Sequence, residues 1–445
     1  MNAARLLWNY TQARRGPARW RDRAALEAWQ EQRVLALLRR VLPLSPWLRE
    51  RFAGRRVKDW RTVPVAGKAD AMARFDEWNT AGISWEQAMS VALRAEESRD
   101  FSPMLRGLTV GLSSGTSGGR GMFLASAAER AAWAGAVLGK VLPSRETGSG
   151  QRSVLDRMLD RVVPGQHRVA LFLRAGGALY EATGKGRVQF QWFDLMRPLA
   201  GHEAALERFN PTVLVAPPSV LKVIGEAGWC VKPRKIVSAA ETLDALDRTA
   251  LEQAFSQKVH EVYQATEGFI AASDASGVLR LNEDLMVVER EWQDAARTRF
   301  VPVITDFHRT TQPMIRHRLD DVLVLKLDTE GDGFTALEAV EGRCEDGLWA
   351  MASGVRHPVF GDLVVRALLT AAALRDFRVR QVAASRLAVA IEPDTQDVRP
   401  AVAAGLEKLW NDRGADVAVD FEPMPGPEAP GTKRRRIRQE WRSEP

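Results

Sequence analysis

The first hundred residues place apolar side chains at the spacing of amphipathic helices. Between residues 21 and 42, five of them fall near one face of a single helix: Leu26, Trp29, Val34, Leu37 and Leu38. This spacing predicts one long helix. The neighbouring residues have the same character, so residues 1–107 are expected to form a mostly helical part of a larger domain.

From residue 108 the pattern changes to that of short strands. "LTVGL" at 108–112 and "MFLA" at 122–125 predict two strands that flank a glycine-rich stretch. Ser126 and Glu129 stand at the spacing of a capping box, which predicts that a helix begins there. Residues 168–173 and 188–193 also have the composition of strands.

Strand-like and helix-like segments alternate between residues 212 and 263. This alternation is typical of a parallel sheet whose connecting helices cover its faces. Ligands of such sheets bind beyond the carboxyl ends of the strands. The segments 238–243 and 264–268 each follow a predicted strand, so both are expected at the ligand-binding edge.

After residue 347 the predicted elements are small: three strands and one helix, which ends before Gly414, and a proline-rich connector that leads to a basic tail. The fold class expected is α/β, with a large body of parallel or mixed sheets and covering helices and a small α+β C-terminal domain. Residues 1–107 and a binding core at 108–343 would form the body, and residues 344–445 the small, mobile domain.

The composition is that of an ordinary soluble globular protein, with 45% apolar and 27% charged residues. Its two cysteines, Cys230 and Cys344, exclude a disulfide framework and favour a reducing compartment, so a cytoplasmic location is expected. No apolar run is long enough to predict a membrane span, and the first residues lack the apolar core of a signal peptide.

The net charge of +7 raises the question of nucleic-acid binding. The positive excess is spread thinly along the chain, apart from the tail at 433–442, so nucleic acid is not an expected partner. The six histidines show no metal-ligand spacing, and a metalloenzyme built on histidine or cysteine is not expected.

The glycine-rich stretch between the first two strands offers backbone N–H groups and hydroxyls that can converge on an anion, and Arg120 adds a positive charge. It is not a P-loop, because no lysine follows at the required spacing and no helix starts directly after it. It is not a dinucleotide fingerprint either, because GxGxxG is absent. The alternative is a polar hairpin loop that binds no ligand.

Six short motifs occur in a fixed order, and from residue 108 onward they make the chain resemble the adenylate-forming superfamily of acyl-CoA synthetases and peptide-synthetase adenylation domains. They are "SSGTSGGRG" (113–121), "SAAETL" (238–243), "YQATEG" (263–268), "IRHRLDD" (315–321), "GRCED" (342–346) and "GTKRRRIR" (431–438). "IRHRLDD" is similar to the motif of the phenylacetate–CoA ligase branch. Residues 75–101 resemble a bacterial subfamily related to the synthetase that adenylylates a deazaflavin coenzyme.

The resemblance implies that ATP and Mg²⁺ are bound. The loop would wrap the β- and γ-phosphates, Thr266 would bind the α-phosphate, and Glu267 would hold Mg²⁺. Tyr263 would stack on adenine, and Asp321 would accept hydrogen bonds from the ribose hydroxyls. The nucleotide-binding positions implied are Ser113, Ser114, Gly115, Thr116, Ser117, Gly118, Arg120, Ala239, Ala240, Glu241, Tyr263, Gln264, Asp321 and Arg343. The loop departs from the family pattern in lacking its proline and in having Arg120 for its lysine, and Gln264 replaces a glycine.

The C-terminal tail matches the pattern of the family least well. The family ends in a segment with a catalytic lysine, and strict counting from Thr432 puts Arg436 at that position, whereas a shorter branch pattern selects Lys433. We prefer Lys433, because a point charge on a flexible stem can reach between a carboxylate and the α-phosphate. A solvated basic tail is the alternative. The resemblance makes Glu345 the hinge about which the small domain turns.

The resemblance also implies the reaction. A carboxylic acid, expected to be aromatic, would become an acyl-adenylate and then pass to a thiol of CoA or of the phosphopantetheine on an acyl carrier protein. Phe172, Ala239 and Gly268 would be the walls of the acid pocket, and Thr266, Glu267 and Lys433 the catalytic residues. Two alternatives stay open, which are adenylylation of a hydroxyl with AMP retained on the product, and a nucleotide-binding protein without catalysis.

Overall fold

The computed structural model describes residues 3–113, 120–143, 166–176, 188–327, 333–343, 347–426 and 434–441. Helices dominate the first hundred residues, as the apolar spacing predicts. They are α1 (Ala3–Arg19), α2 (Arg23–Val41), α3 (Pro46–Arg51), α4 (Lys68–Ala73), α5 (Phe75–Trp78) and α6 (Trp85–Ser98), with a 3₁₀ helix at Val57–Thr62. The long predicted helix is α2, which begins where the Asp22 side chain accepts the Ala24 N–H, and which buries Leu26, Val34, Leu37 and Leu38.

Helix α7 (Ala127–Val141) begins at the predicted capping box, which is confirmed. Ser126 Oγ accepts the N–H of Glu129, and a Glu129 carboxylate oxygen accepts the N–H of Ser126 at 2.7 Å. Helix α1 lies directly against α7 because two glycines leave room for its backbone. A Cβ on Gly135 would stand 2.2 Å from the Leu6 carbonyl oxygen, and one on Gly139 would stand 2.8 Å from that of Tyr10.

A three-stranded antiparallel sheet carries the glycine-rich stretch. Its strands are β1 (Met104–Leu105), β2 (Leu108–Leu112) and β3 (Met122–Ala125), in that order. The ends of the loop are closed by two hydrogen bonds between Ser113 and Gly121. The N–H of Ser113 donates to the Gly121 carbonyl oxygen at 2.7 Å, and the N–H of Gly121 donates to Ser113 Oγ at 2.7 Å.

A large mixed sheet forms the centre of the body. Its strands are β4 (His167–Leu173), β5 (Val188–Asp194), β6 (Val213–Ala216), β7 (Lys235–Ser238), β8 (Val259–Gln264), β9 (Phe269–Ser273), β10 (Leu279–Leu281), β11 (Met286–Trp292), β12 (Arg299–Asp306), β13 (His317–Arg318), β14 (Asp321–Leu325) and β15 (Ala336–Arg343). The order is β11-β12-β14-β15-β10-β9-β8-β7-β6-β4-β5, with β13 beside β12. The predicted parallel part runs from β5 to β8, and the pairings from β8 to β11 are antiparallel.

Helices cover both faces of the parallel part. On one face lie α8 (Glu203–Phe209), α9 (Pro218–Glu226) and α10 (Ala245–Phe255), over a core that includes Phe172, Leu214 and Ile236. On the other face the core joins Tyr10 of α1 and Leu138 of α7 to Val169 and Val237. Strands β4, β6 and β7 are therefore buried on both sides, which is why their sequences are mostly apolar without alternation.

The small domain has a core of its own. It comprises β16 (Leu348–Ala352), β17 (Val355–Val359), α11 (Gly361–Ala371), β18 (Asp376–Ala383), β19 (Arg386–Glu392), α12 (Val398–Asn411), β20 (Ala418–Phe421) and β21 (Ile437–Gln439). Leu368, Phe377, Leu406 and Trp410 pack at its centre. The predicted fold class, a large α/β body with a small α+β domain, is confirmed.

The basic tail is part of this small domain. Strand β21 pairs in parallel with β18, with Ile437 opposite Val379, at the edge of the sheet β20-β19-β18-β21. Residues 434–441 are thus fixed in the fold, and the solvated tail that the charge pattern left open does not describe them. Across the described ranges, no helix is both long and apolar enough to traverse a bilayer.

Candidate functional site

One large cavity, of about 2090 Å³, lies between the body and the small domain. The body contributes the turns that follow β7 and β8, together with β14 and β15, and the small domain contributes α11, the start of β18 and the tail. Parallel strands end at the same edge of a sheet, so the segments expected to bind ligand meet here. The motifs at 238–243, 263–268, 315–321 and 342–346 all send residues to this cavity.

The turn after β7 brings two of its three predicted residues to the cavity. Ala240, which has a φ of 69°, and Glu241 line it. The Glu241 carboxylate accepts the N–H of Ser219 at 3.4 Å and the N–H of Arg434 at 3.3 Å, so it joins the body to the tail. The prediction that Ala239 lines the binding site is wrong. Ala239 is 7% exposed and packs into the core beside Val237, because successive residues along an extended chain face opposite sides.

The turn after β8 places Thr266 and Glu267 in the cavity wall. Two backbone hydrogen bonds close this turn, from Ala265 N–H to the Gly268 carbonyl oxygen at 3.0 Å and from Gly268 N–H to the Ala265 carbonyl oxygen at 3.3 Å. Thr266 Oγ1 donates to Glu267 Oε2 at 2.8 Å. A carboxylate and a hydroxyl are therefore held together at the carboxyl end of the strand.

A small second cavity adjoins this turn. Lys68, Gly121, Thr266, Glu267 and His317 are among its lining residues. Burial lowers the pKa of His317 below its ordinary value, although the charge of Glu267 acts in the opposite direction. The His317 ring stacks on Trp78, with centroids 6.2 Å apart, and His317 Nε2 makes no hydrogen bond to any described residue. A neutral imidazole therefore stands next to the Glu267 carboxylate.

Tyr263 and Asp321 are joined across the cavity wall. The Tyr263 hydroxyl donates to Asp321 Oδ2 at 2.5 Å. Burial raises the pKa of Tyr263 well above its ordinary value, and the negative charge of Asp321 raises it further, so the hydroxyl keeps its proton. Both residues line the cavity, and their assignment to adenine and ribose stays a prediction.

Arg343 supplies a charged group with unmet hydrogen-bonding capacity. It lies opposite Asp321 in the β14–β15 pair and lines the cavity. Its Nη1 is buried and has no hydrogen-bond partner among the residues that the structure describes. Buried guanidinium N–H groups are seldom left unpaired, so this atom is suited to an anionic or polar ligand.

The two residues that flank the glycine loop differ in their surroundings. Ser113 lines the large cavity, but Arg120 does not, and its guanidinium forms an ion pair with Glu96 of α6. A second cation, Lys68, lies at the start of the loop: its Nζ is 3.2 Å from Ser113 Oγ, and it lines both cavities. Lys68 was not predicted. It comes from helix α4, 45 residues before the loop, where no local pattern indicates its role.

Arg436 is engaged by carboxylates from both domains. Its guanidinium binds Asp244 and Asp247 of the body, with Nη2 2.7 Å from Asp247 Oδ1, and its Nε lies 2.9 Å from Oδ1 of Asp376 in the small domain. Only 8% of the residue is exposed. Three carboxylates hold this side chain between the domains, and Arg436 also lines the cavity, so the choice between Arg436 and Lys433 as the catalytic cation stays a prediction.

The prediction that Phe172 forms a wall of the acid pocket is also wrong. It points away from the cavity into the core beneath α8 and α9, is fully buried, and stacks on Phe193 with ring centroids 4.7 Å apart. Gly268 does line the cavity, and so does Gln264, whose Oε1 accepts the indole N–H of Trp133 at 3.0 Å. Seven predicted positions lie outside the described residues: Ser114, Gly115, Thr116, Ser117, Gly118, Glu345 and Lys433.

A carboxylate that the sequence analysis did not predict, that of Asp306, lies next to Gly268. Asp306, at the end of β12, is 6% exposed and lines the cavity with His308 and Arg309. Burial raises the pKa of Asp306 to about 6, and hydrogen bonds from the backbone and the charge of Arg309 limit the rise. Burial lowers the pKa of His308 to about 4, so this imidazole is neutral near pH 7. Asp306, His308 and Arg309 lie outside the six motifs of the sequence.

Within the described ranges, no group of three or more His, Cys, Asp or Glu side chains could hold a metal ion. This finding does not bear against Glu267 as a Mg²⁺ ligand. Magnesium is commonly held by one or two carboxylates together with water and the phosphates of the substrate. The Glu267 carboxylate, which lines the cavity beside Thr266, fits that mode of binding.

No family model and no curated protein sequence matches the chain. Solved structures do match it. A structure of 2-hydroxyisobutyryl-CoA ligase in the postadenylation state with R3-HIB-AMP is 17% identical, with a TM-score of 0.65, over 96% of this chain and 91% of that chain. The same ligase in the thioesterification state, with 2-HIB-AMP and CoA, gives 18% identity and a TM-score of 0.51 over 96% and 91%.

A third similar structure is that of an amido synthetase. GH3.15 acyl acid amido synthetase is 12% identical to this chain and covers 90% of it, with 86% of that chain covered and a TM-score of 0.56. The three structures thus include a CoA ligase and an amido synthetase. At these identities the likeness establishes the fold, and the chain has the fold of the adenylate-forming ligases.

Proposed function

We propose that the protein uses ATP to activate a carboxylic acid, expected to be aromatic, as an acyl-adenylate with release of pyrophosphate. The acyl group would then pass to the thiol of CoA or of a phosphopantetheinyl carrier protein. The observation that carries the proposal is the meeting of Ser113, Glu241, Glu267, Asp321 and Arg343 around one cavity. These residues span 230 positions of sequence. The resemblance implies nucleotide contacts for four of them and a Mg²⁺ ligand in Glu267.

In the first step, the negative charge of the ATP phosphates must be neutralised. An oxygen of the carboxylate forms a bond to the α-phosphorus of ATP, and the bond from that phosphorus to the oxygen of the leaving pyrophosphate breaks. Both reactants are anions, so the site must supply positive charge and N–H or O–H donors. We assign Lys68 and the Ser113 hydroxyl to the leaving phosphates, and the Thr266 hydroxyl to the α-phosphate.

The acidic residues have a different task. Glu267 would hold Mg²⁺, whose positive charge offsets that of the phosphates when it is bound. Asp321 would orient the nucleoside through a ribose hydroxyl, and the hydrogen bond from Tyr263 fixes its carboxylate. Arg343 Nη1, buried and without a described partner, would donate to the nucleotide. Together these contacts hold the α-phosphate in line for attack.

The small domain would serve both steps. Its tail begins beside Glu241, and its α11 and β18 form one wall of the cavity. Rotation about the hinge assigned to Glu345 would carry this wall away after adenylation and admit the thiol. Lys433 would enter the site from the tail in the first step.

Acid-dependent exchange of pyrophosphate into ATP tests the proposal. The full chain is incubated with ATP, Mg²⁺, labelled pyrophosphate and one acid of an aryl panel. We expect exchange only when an acid is present, and a loss of at least about 100-fold in Glu267→Ala. Glu291→Gln is the matched control, since Glu291 is half-exposed, pairs with Arg318 and lies outside the cavity lining.

Other outcomes separate the alternatives. Pyrophosphate release with AMP retained on a hydroxyl product would support adenylylation of an alcohol. ATP binding without exchange for any acid would indicate a protein without catalysis. Product masses with CoA and with a phosphopantetheinyl carrier protein then identify the acceptor.

A further inference from the structure

One side of the large cavity is positively charged. Between residues 109 and 226, the charged side chains that line it are Glu129, Arg130, Arg174, Arg197, Lys222 and Glu226. Lys222 and Glu226 pair with each other at 3.8 Å, and Glu129 accepts two backbone N–H groups of the loop after β12. The three arginines form no ion pair with any carboxylate in the described ranges. This side of the cavity therefore carries positive charge that the protein itself leaves without a counter-charge.

Two of these arginines stand at the carboxyl ends of neighbouring parallel strands. Arg174 directly follows β4, and Arg197 follows the end of β5 by three residues. The two strands pair with Leu173 opposite Asp194, and ligands of parallel sheets bind beyond this edge. Asp194 already has a partner, because Arg99 Nε and Nη2 lie 2.9 and 2.6 Å from its two carboxylate oxygens. Asp194 therefore does not neutralise Arg174 or Arg197.

The third arginine, Arg130, lies near the start of helix α7. Its Nη1 donates to Thr109 Oγ1, and both residues line the cavity. Burial lowers the pKa of Arg130, and no neighbouring negative charge counteracts this shift. A guanidinium offers five N–H donors, so the bond to Thr109 leaves most of its capacity for a ligand. Arg130 is therefore a cation whose partial burial no carboxylate compensates.

An apolar wall connects Arg130 to the place where the proposed acid reacts. The apolar residues of this wall are Leu112, Phe123, Ala125, Trp133 and Ala136. Trp133 lies one turn after Arg130 on α7, and its indole N–H donates to Gln264 Oε1 at 3.0 Å. Gln264 ends β8, directly before the turn that holds Thr266 and Glu267. An acid that lies along this wall, with its reacting carboxylate near Thr266, would extend its other end toward Arg130.

The arginines favour one kind of substituent at that end. A guanidinium binds a carboxylate through two charge-assisted N–H bonds, which are stronger than bonds to a neutral acceptor. An ammonium group would be repelled by the positive charge of this side. An apolar end would displace water from the arginines without replacing its hydrogen bonds. We infer that the acid carries a second anionic group, a carboxylate in the simplest case, which Arg130, Arg174 and Arg197 bind, an inference that rests on the proposed function.

Matched acids test this inference in the exchange assay with the full chain, run without any thiol so that the phosphates of an acceptor cannot contribute. The first set is benzoate, isophthalate and terephthalate with the mono-amides of both diacids. The second set is phenylacetate with its 4-carboxy and 4-carbamoyl derivatives. Each mono-amide has the shape of its diacid but lacks the second charge. We expect kcat/KM for at least one diacid to exceed that of its mono-amide at least about tenfold.

Variants assign the preference to the arginines. In Arg130→Met and Arg174→Met, the ratio of kcat/KM for the diacid to that for the mono-amide should fall toward one. Arg130→Lys keeps the charge but loses the two-pronged geometry, so it should retain part of the preference. Arg168→Met is the matched control, because Arg168 lies on β4 at the end opposite Arg174, binds the Asn210 carbonyl oxygen at 2.7 Å and lines neither cavity. Its ratio should equal that of the unaltered protein.

The outcomes distinguish the inference from the function. Diacids that exchange no faster than their mono-amides overturn the inference and leave the function standing. Arginine variants that raise KM for ATP without changing the ratio also overturn it, because the arginines would then bind the nucleotide. Absence of exchange with every acid overturns the proposed function itself, and the inference with it. The ratios for the unaltered protein decide the question even if a variant does not fold.

Discussion

Arg436 of the small domain and Asp247 of the body form a two-pronged ion pair, with Nη1 2.5 Å from Oδ2 and Nη2 2.7 Å from Oδ1. Asp247 is buried on helix α10, and Arg436 immediately precedes strand β21. Arg434 adds a further bond to Asp376, which Arg436 also binds. Two arginines of the tail thus dock the small domain onto the body.

Removal of Arg436 should destabilise the protein strongly. In Arg436→Met, the carboxylates of Asp244, Asp247 and Asp376 lose their shared partner, and unpaired buried charge costs about 3–5 kcal/mol. Urea unfolding should show this loss in the transition that separates the domains. Arg386→Met, which removes an exposed pair with Asp420, should change little. Equal stability of both variants would contradict the docking role.

Lys68→Met should impair the use of ATP. The Lys68 ammonium group lies 3.2 Å from Ser113 Oγ at the start of the loop, and removal of one charged donor at a phosphate typically costs about 100-fold in rate. We expect kcat/KM for ATP in the exchange assay to fall by this amount, with unfolding unchanged. The exposed Lys58→Met is the control. Arg120→Met should have a smaller effect than Lys68→Met, because Glu96 already binds Arg120, and the reverse order would refute our assignment.

Gly268→Ala should narrow the acid pocket. The added Cβ would lie 3.2 Å from Met286 Cε and 3.3 Å from Asp306 Oδ2, so it would occupy space beside the reacting carboxylate. One methyl group in a pocket changes specificity about tenfold or more, and we expect kcat/KM for aryl acids to fall by that factor. Gly201→Ala is the control, because nothing lies within 4 Å of its Cβ position. Unchanged kinetics with every acid would place the pocket elsewhere.

Glu341 should make stability depend on pH. Burial raises the pKa of Glu341 to about 8, and the hydrogen bond and charge of Asp362 raise it further than Arg299 can offset. The folded protein therefore keeps a proton that the unfolded chain has released above about pH 5, so the free energy of unfolding falls as pH rises from 5 to 8. Glu341→Gln should flatten the Tm profile between pH 6 and 9. Glu338→Gln, with an exposed side chain on the same strand, should leave the slope unchanged.

The sequence predicts the elements well because each has a local cause. The capping box fixes the start of α7, and alternating segments at 212–263 fix the parallel strands. The turns after β7 and β8 meet because parallel strands end at one edge, which places Glu241 and Glu267 at the cavity from strand order alone.

The directions of side chains in the buried strands could not be predicted in this way. Strand β4 is apolar on both faces, so its pattern does not show that Phe172 faces the helices rather than the cavity. The prediction for Ala239 is wrong for a similar reason, since successive side chains along a strand point to opposite faces of the sheet. The chain partners of Lys68 and Arg436 lie 45 and 189 residues away, and only the folded structure brings them together.

The close approach of α1 to α7 links the start of the chain to the large cavity. Helix α7 carries Trp133 and Glu129 on the cavity side, and it touches the Leu6 and Tyr10 backbone through Gly135 and Gly139 on the other. Deleting the first nineteen residues would remove α1 and expose to water the face of α7 that carries Gly135 and Gly139. An N-terminal truncation would consequently disturb the large cavity, although none of residues 3–19 lines it.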